Sequence, residues 1–336
     1  MNRKSGKSTF YPQNVPSINY YAAIAGEVED QGPLHGYYDL VVDDLWEEKS
    51  WEKAEEKMFE NAVKLAMQKA NLQNTDIDFL FGGDLLNQII SASFAARTLA
   101  IPFLGLYGAC STMAESLIAA TMALDGGYAQ NAVCVTGSHF ATAERQYRMP
   151  LEMGTQTTPT AQRTVTGAGA CVIQRSGDGP YITCFTVGKV IDLGIKDADN
   201  LGAAMAPAAI DTLITHFEDT GKQPNEYDLI VTGDLGKFGF EIVLDKMRDA
   251  GYDLSQNYND CGMIVFDVEN QDVDCGGSGC GCSAVTLNAY LLKKIKKGDY
   301  RNILFVPTGA LLSPTTTLQG ESIPSIAHAV VIQKEV

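Results

Sequence analysis

The sequence predicts an α/β fold that contains two copies of one helix–strand unit. Two observations support this prediction. The run DFLFGGDL at 78–85 resembles DLIVTGDL at 228–235, and each run follows a helix-like segment. Further strand and helix patterns then appear in the same order in both halves. Strands that alternate with helices favour a mostly parallel sheet with helices on its faces, so we expect such a sheet here.

The first half is predicted from apolar runs and the turn signals between them. The strand NAVCVTG, for example, follows the turn signal DGGYAQ. In chain order the predicted elements are a helix at 60–69, strands at 78–85 and 103–106, a helix at 114–124, and strands at 131–137 and 170–174.

The second half repeats this order. Its strand NILFVPTG follows the turn signal KKGDYR, and AVVIQ near the end of the chain matches ACVIQ of the first half. The predicted elements are a helix at 208–218, a strand at 228–235, a helix at 284–295, and strands at 302–309 and 329–333. We therefore expect one compact domain over 1–336, with halves of about 1–175 and 176–336 related by a pseudo-two-fold axis.

Composition excludes several classes of function. The chain has 41 acidic and 25 basic residues, which gives a net charge of −16 and disfavours nucleic-acid or direct anionic-lipid binding. No apolar run is long enough for a membrane span, and no apolar segment follows the basic N-terminus as in a secretory signal. The eight cysteines are expected to be free thiols in a reducing, cytoplasmic compartment.

Cys110 is the first candidate site residue. It lies in the sequence GLYGACST, after a predicted strand and just before a helix that begins near Thr112. The positive end of a helix dipole favours a thiolate, so this position suits a nucleophile. A small residue packed under the helix is the structural alternative.

The second half has a glycine- and cysteine-rich segment at the equivalent helix start. Its sequence CGGSGCGCSAV includes Gly277, Ser278, Cys280 and Cys282. If the two helix starts face each other, Cys110 and this segment line one pocket, and the backbone N–H groups of 276–281 form an anion site. The cysteine spacing matches no zinc pattern, so we expect no metal and no cofactor.

Polar residues at strand ends complete the candidate pocket. Ser138, His139 and Arg145 follow the strand at 131–137, and Arg148 lies three residues further on. Histidine suits a general base and arginine suits a carboxylate. A hydrogen-bonded loop histidine and surface ion pairs are the structural alternatives.

Two further groups of residues are added to the candidates. Asp84 and Asn87 occupy another strand end, and Asp234 is the duplicate of Asp84. Apolar and aromatic side chains could form a flat slot for a ligand, and the candidates for this slot are Tyr107, Met113 and Phe140. Each of these three is also typical of an ordinary core position.

The duplication with a cysteine at the central helix start resembles the thiolase and ketoacyl synthase superfamily. The runs GDLLNQ, GACST, ATAERQYR, AMAPAA and TGALLSPT are more specifically similar to the stage V sporulation protein AD family of spore-forming bacteria, from about residue 6 to 332. The resemblance implies a thiolase-like fold in helix–sheet–helix–sheet–helix layers. It also implies binding of dipicolinate (pyridine-2,6-dicarboxylate), with or without calcium, as part of a membrane uptake system.

The chain departs from the superfamily's enzymes at the catalytic set. Those enzymes combine the cysteine with histidine, and with histidine or asparagine, from the second half. Here no histidine lies between His216 and His328, and Asn259 is the one candidate remnant of that catalytic set. Loss of a general base removes a factor of about 10²–10⁴ in rate. The sequence therefore favours a non-catalytic binding protein.

Two other functions remain open at this stage. The chain could be an acyltransferase that uses Cys110 on a coenzyme A thioester, or a scaffold that docks membrane partners. The resemblance further implies a homodimer that pairs the strand at 132–136 across a two-fold axis, and a location at the forespore or spore inner membrane. We expect other proteins of the uptake system as partners.

Overall fold

A large mixed sheet runs through both halves of the protein. The computed structural model describes residues 3–147 and 157–336. The strands are β1 Lys4–Ser5, β2 Thr9–Phe10, β3 Ser17–Gly26, β4 Leu40–Val42, β5 Phe79–Gly83, β6 Phe103–Gly105, β7 Asn131–Ser138, β8 Arg163–Thr164, β9 Gly167–Gln174, β10 Tyr181–Thr186, β11 Leu229–Thr232, β12 Tyr258–Asp260, β13 Gly277–Ser278, β14 Asn302–Val306, β15 Thr308–Ala310, β16 Ser325–Ala327 and β17 Ala329–Gln333.

Helices connect most of these strands. They are α1 Trp51–Ala70, α2 Ile90–Leu99, α3 Thr112–Asp125, α4 Phe140–Tyr147, α5 Leu201–Thr220, α6 Gly236–Asp249, α7 Cys261–Val265, α8 Cys280–Val285, α9 Leu292–Lys297 and α10 Pro314–Leu318. A π-helical segment, Thr286–Leu291, joins α8 to α9. Short 3₁₀ turns lie at Glu29–Gln31, Asn74–Asp76, Asn87–Ile89 and Pro224–Glu226.

The strand pairing repeats between the halves. The order along the sheet is β12-β11-β14-β17-β10-β3-β9-β7-β5-β6. In the first half β5 is parallel to β6 and β7, and in the second half β11 is parallel to β12 and β14. The halves meet where β3 pairs with β10, so each side of the sheet is a copy of the other.

The prediction of a mostly parallel sheet was wrong for the strands in the middle of the sheet. β9 runs antiparallel to both β7 and β3, and β17 runs antiparallel to both β14 and β10. Helical crossovers keep strands parallel, whereas a connection that returns to the same end of the sheet reverses the next strand. The chain leaves β7 and enters β9 at the same end, so the pair is antiparallel.

Buried side chains separate the helices into layers. One apolar cluster packs α1 and α2 on the first half-sheet, and a second packs α5 and α6 on the other half-sheet. A third cluster places α3 and the α8–α9 helix between the two half-sheets. This is the layering expected for the fold. No helix among residues 3–147 and 157–336 combines the length and apolarity needed to cross a bilayer.

The strand expected to pair between two copies lies inside the sheet. β7 contains the residues 132–136, and its neighbours are β5 on one side and β9 on the other. Both of its edges are therefore already hydrogen-bonded, so it cannot pair across a two-fold axis. Within the described residues, the ends of the sheet are β6 and β12.

Candidate functional site

A small cavity lies between the two halves at the beginning of α3. Its volume is about 50 Å³, enough for a few water molecules. The first half contributes the β6–α3 connection and α4, and the second half contributes loops around α5, β13 and β15. The lining side chains are those of Leu85, Tyr107, Ala109, Cys110, Ala143, Glu144, Tyr147, Thr164, Ala198, Leu201, Ser278, Ala310 and Leu312.

Cys110 lies in the cavity wall, immediately before α3 as predicted. The second half approaches this turn closely: a Cβ built on Gly309 would lie 2.2 Å from the carbonyl oxygen of Gly108. A glycine is therefore required at 309 for the two halves to close around Cys110.

The thiol of Cys110 is not activated. Burial raises its pKa well above the usual value, and the negative charge of the nearby Asp234 carboxylate raises it further. The expected thiolate at the helix start is therefore wrong, because desolvation and the neighbouring negative charge outweigh the helix dipole.

Asp234 is the centre of the polar contacts contributed by the second half. It follows β11, and its Oδ1 accepts a hydrogen bond from Thr308 Oγ1 at 2.6 Å. Its Oδ2 accepts hydrogen bonds from Ser278 Oγ at 3.0 Å and from Gly279 N at 3.1 Å. Burial raises the pKa of this carboxyl to about 6. From the sequence, Asp234 was recognisable only as the duplicate of Asp84, and its effect on Cys110 was not predicted.

The glycine-rich segment before α8 reaches the cavity but does not form the expected anion site. The amide of Gly279 donates to Asp234, and the amide of Gly281 donates to Ser138 Oγ at 3.1 Å. Gly277 pairs with Arg163 in a short parallel ladder. These backbone groups bind the protein's own side chains, so that expectation was wrong. Ser278 does line the cavity, as its position suggested.

Cys280 is brought together with Cys110, as the pseudo-symmetry predicted. Both thiols pack in one buried cluster with Leu85 and Ala143. Cys280 Sγ donates to the carbonyl of Gly137 at 3.0 Å, and burial raises its pKa well above the usual value. Cys280 is therefore a second inert thiol behind the cavity wall.

His139 does not face the cavity. Its Nε2 lies 2.7 Å from the carbonyl oxygen of Asp44, and its Nδ1 accepts a hydrogen bond from the amide of Ala141 at 3.1 Å. The ring is buried, and burial lowers its pKa. Both nitrogens have partners, so the prediction of a base or ligand donor at this position is corrected to a structural histidine. Ser138 is likewise structural, since its hydroxyl donates to Val165 O at 2.7 Å.

Arg145 also has a partner outside the cavity. Its guanidinium pairs with Glu52 and lies 5.5 Å from the ring centre of Trp51. The predicted role of Arg145 as a carboxylate ligand is therefore not supported by its position, although its neighbours Glu144 and Tyr147 line the cavity. Arg148 lies outside the described residues.

Asp84 and Asn87 also lie apart from the lining. Asp84 is buried, and it accepts hydrogen bonds from the amides of Leu86 at 2.7 Å and Ala92 at 2.6 Å. Burial raises its pKa to about 6. Asn87 is exposed, and its backbone amide donates a hydrogen bond to Gln146 Oε1. Asp84 therefore supports the wall from behind.

The predicted aromatic slot is only partly formed. Tyr107 lines the cavity, and its hydroxyl lies 3.0 Å from that of Tyr147. Met113 is core, and Phe140 lies under Arg163, whose guanidinium is 3.9 Å from the ring centre. Tyr147 was missed, although it ends the amphipathic run ATAERQY.

No histidine or asparagine completes a catalytic set among residues 3–147 and 157–336. His216 bonds Thr186 and Tyr227, and His328 lies 3.4 Å from Glu115. Asn259 is in the edge strand β12, where its Oδ1 accepts from the amide of Asp260. Asn259 is therefore not a catalytic remnant. The group that contacts the Cys110 thiol is a carboxyl.

A second, larger cavity lies at the opposite end of α3. Its volume is about 290 Å³, and Arg3, Lys4, Phe10 and Asp125 are among its lining residues. Arg3 Nε lies 3.0 Å from Asp125 Oδ2, so this arginine is already paired.

Comparison with known proteins agrees with the fold. The family model of stage V sporulation protein AD matches residues 6–333. Stage V sporulation protein AD of Bacillus subtilis (strain 168) is 46% identical over 331 residues, which is 98% of each chain.

Solved structures show the same architecture at low sequence identity. A variant of OleA from Xanthomonas campestris has a TM-score of 0.62 at 17% identity, covering 96% of this chain and 100% of that one. The 3-oxoacyl-[acyl-carrier-protein] synthase III of Aquifex aeolicus VF5 has a TM-score of 0.56 at 15% identity, with coverage of 95% and 99%. The predicted thiolase-like fold is confirmed.

Proposed function

This chain belongs to the stage V sporulation protein AD family, and on that basis we propose that it is a non-catalytic binding protein for dipicolinate in sporulation. The ligand would occupy the cavity beside Cys110, where an ancestral enzyme of this fold held its substrate.

The Asp234 carboxyl near Cys110, whose charge raises the pKa of the thiol, is the observation on which the non-catalytic assignment rests. A nucleophilic cysteine needs a base or a positive charge that favours the thiolate. Asp234 does the opposite, because a carboxylate favours the neutral thiol. Binding requires no thiolate, so it is compatible with this arrangement.

The cavity could become larger at its opening if two side chains there rotated. Tyr107 is 45% exposed, and Leu312 is half-buried on the opposite side. Rotation of these two side chains would open space between the halves without disturbing the buried cluster behind Cys110. The hydroxyl of Tyr107 would then be available to donate to a ligand carboxylate, whereas that of Tyr147 already donates to the carbonyl of Leu85.

Calorimetric titration tests this proposal, with dipicolinate as ligand and benzoate and acetyl-coenzyme A as comparators. We expect saturable binding of dipicolinate alone. The variant Leu312→Trp fills the mouth and should weaken binding at least tenfold. Leu318→Trp adds the same bulk at an 89% exposed position and is the matched control. Absence of binding, or equal effects of the two variants, would refute the assignment.

An acyltransferase is the second candidate, and it is favoured by one observation: Cys110 lines the cavity at the start of α3. This function requires attack of Cys110 Sγ on a thioester carbonyl, with loss of the coenzyme A thiol. Incubation with acetyl-coenzyme A followed by peptide mass spectrometry would then show an acetyl adduct on Cys110. We expect no adduct.

We also propose a homodimer, formed through β6 rather than through β7. β6 ends the sheet, and Leu104 in this strand is 49% exposed. An edge strand with an apolar exposed side chain is suited to pairing with its symmetry mate. Light scattering of wild type and Leu104→Lys tests this: the variant should be monomeric.

The proposal also covers the cellular location of the chain and its partner proteins. We propose that the chain works peripherally at the forespore or spore inner membrane with other proteins of the dipicolinate uptake system. Calcium that accompanies dipicolinate would enter as cargo with the ligand. Co-purification from sporulating cells, compared between wild type and Leu312→Trp, would separate docking of these partners from ligand binding.

A further inference from the structure

The described charged side chains around the Cys110 cavity are acidic. Glu144 lines the cavity, and Asp234 contacts Cys110 from behind the wall. No lysine, arginine or histidine is among the lining residues that belong to 3–147 and 157–336. A dianionic ligand would therefore lie near the negative charge of Asp234 in a region of low dielectric, where repulsion between charges is strong.

Glu55 adds a buried acid group to the back of the site. It is 2% exposed and lies on α1, where its Oε2 accepts a hydrogen bond from Thr142 at 2.7 Å. Its Oε1 is buried without a hydrogen-bond partner in the described structure. A buried carboxylate oxygen without a donor is costly, which favours the protonated acid. Glu55 therefore already holds a proton next to Asp84.

We propose that the site compensates the charge of its ligand with protons, and that Asp234 is the principal proton acceptor. This inference rests on the proposed function, and it specifies the ligand as a diacid that binds together with at least one proton from solvent. The proton adds to an Asp234 carboxylate oxygen and gives a neutral carboxyl, so no oxidant or other reactant is required.

The surroundings of Asp234 permit this change. Its Oδ1 accepts from the Thr308 hydroxyl, which can accept as well as donate, so a proton on Oδ1 keeps this hydrogen bond. Its Oδ2 keeps its donors, the Ser278 hydroxyl and the Gly279 amide. Burial raises the pKa of Asp234 to about 6, so the group is mostly ionised at neutral pH and can still take up a proton. The titratable groups that act on Asp234 or are influenced by it are Cys110, Asp260, Cys261, Cys280 and Cys282.

Asp84 is a weaker candidate for the same role. Both of its oxygens accept backbone N–H groups, which cannot become acceptors. A proton on Asp84 would therefore face an N–H donor and disrupt one of these bonds. The titratable groups that face Asp84 are Glu55, Cys280 and Tyr107.

Calorimetry of the wild-type protein tests the inference directly. Dipicolinate is titrated at one neutral pH in buffers of different ionisation enthalpy, which gives the number of protons taken up. We expect about one proton, and an affinity that falls about tenfold per pH unit between pH 7 and 8.5. Binding with no proton uptake would overturn this inference and leave the proposed function intact. No binding at any pH would refute the proposed function itself.

Two variants identify the residue that takes up the proton when the ligand binds. Asp234→Asn removes the acceptor, so proton uptake should fall by about one. The affinity at pH 8 should rise about a hundredfold, because pH 8 lies about two units above the pKa of Asp234. Asp272→Asn removes an exposed carboxyl away from the cavity and should match wild type. Unchanged proton uptake in Asp234→Asn would overturn the assignment to this residue. If Asp234→Asn does not fold, the wild-type proton count still decides whether protons accompany the ligand.

Discussion

Asp84 and Asp234 occupy equivalent strand ends in the two halves, yet they have different partners. Both are fully buried, and burial raises the pKa of each to about 6. Asp84 accepts from backbone amides of its own half, at Leu86 and Ala92. Asp234 accepts from the hydroxyls of Thr308 and Ser278 and from the amide of Gly279, and its charge acts on the thiol of Cys110 in the other half.

We interpret this difference as a division of roles: Asp84 supports the fold, and Asp234 serves the proposed site. The first-half carboxyl fixes the chain between β5 and α2. The Oδ1 of the second-half carboxyl accepts from the Thr308 hydroxyl, whose hydrogen bond can reverse. An internal duplication therefore lets one copy hold the fold while the other changes its chemistry, and here the change leaves Cys110 with an acid partner instead of a base.

The largest expected effect is on stability. Asparagine at 84 cannot accept from both amides, because its Nδ2 is a donor, so one buried N–H loses its acceptor. Asparagine at 234 can donate to the Thr308 hydroxyl instead. We expect Asp84→Asn to lower the free energy of unfolding by about 2 kcal/mol more than Asp234→Asn.

Urea denaturation at pH 7.5 measures this difference. Removal of a buried negative charge affects both variants alike, since the two carboxyls have similar raised pKa values. The difference between the variants therefore reports the hydrogen bonds. Equal stabilities would show that the two carboxyls have the same role.

The next effect is on the reactivity of Cys110. Asp234→Asn removes the carboxylate that helps to raise the thiol pKa, so more thiolate is present at a given pH. We expect alkylation of Cys110 by iodoacetamide at pH 8 to be about tenfold faster, the effect of one pKa unit. Peptide mass spectrometry gives the rate. Asp84→Asn is the matched control and should leave the Cys110 rate unchanged; acceleration by both variants would contradict the comparison.

The smallest expected effect is on the unfolding free energy, at two positions where the two halves make the same hydrogen bonds. Asp78 accepts from the amides of Gln130 and Asn131, and Asp228 accepts from those of Arg301 and Asn302. Because these bonds are exposed, alanine at either position should cost about 1 kcal/mol in unfolding free energy.

The two alanine variants should agree with each other within about 0.5 kcal/mol. Thermal or urea unfolding measures both. A clear inequality would mean that the halves have diverged at their structural ends as well as at the site.

The repeated pattern was sufficient to predict the order of the main helices and strands in each half. The runs at 78–85 and 228–235 became β5 and β11, and the pair at 131–137 and 302–309 became β7 and the β14–β15 segment. Local hydrophobicity and turn signals identify such elements. The direction of β9 and β17 could not be predicted in this way, because it depends on where the connections leave the sheet.

The site was harder to predict, since its contacts join distant parts of the chain. Cys110 and Ser278 were placed correctly at the two helix starts. His139 and Arg145 were not, because Asp44 and Glu52 occupy their polar groups, and no local pattern reveals those partners. The place of Asp234 in the site could have been predicted, because its equivalence to Asp84 puts a carboxyl at the second-half strand end, close to the pseudo-axis.

A crystal structure with dipicolinate tests the central claim most directly, because it shows where the ligand lies and whether Cys110 is modified. We predict an intact ligand between Tyr107, Cys110 and Leu312, with the thiol unmodified. Ligand density in the cavity beside Arg3, or a covalent bond at Cys110 Sγ, would contradict the account.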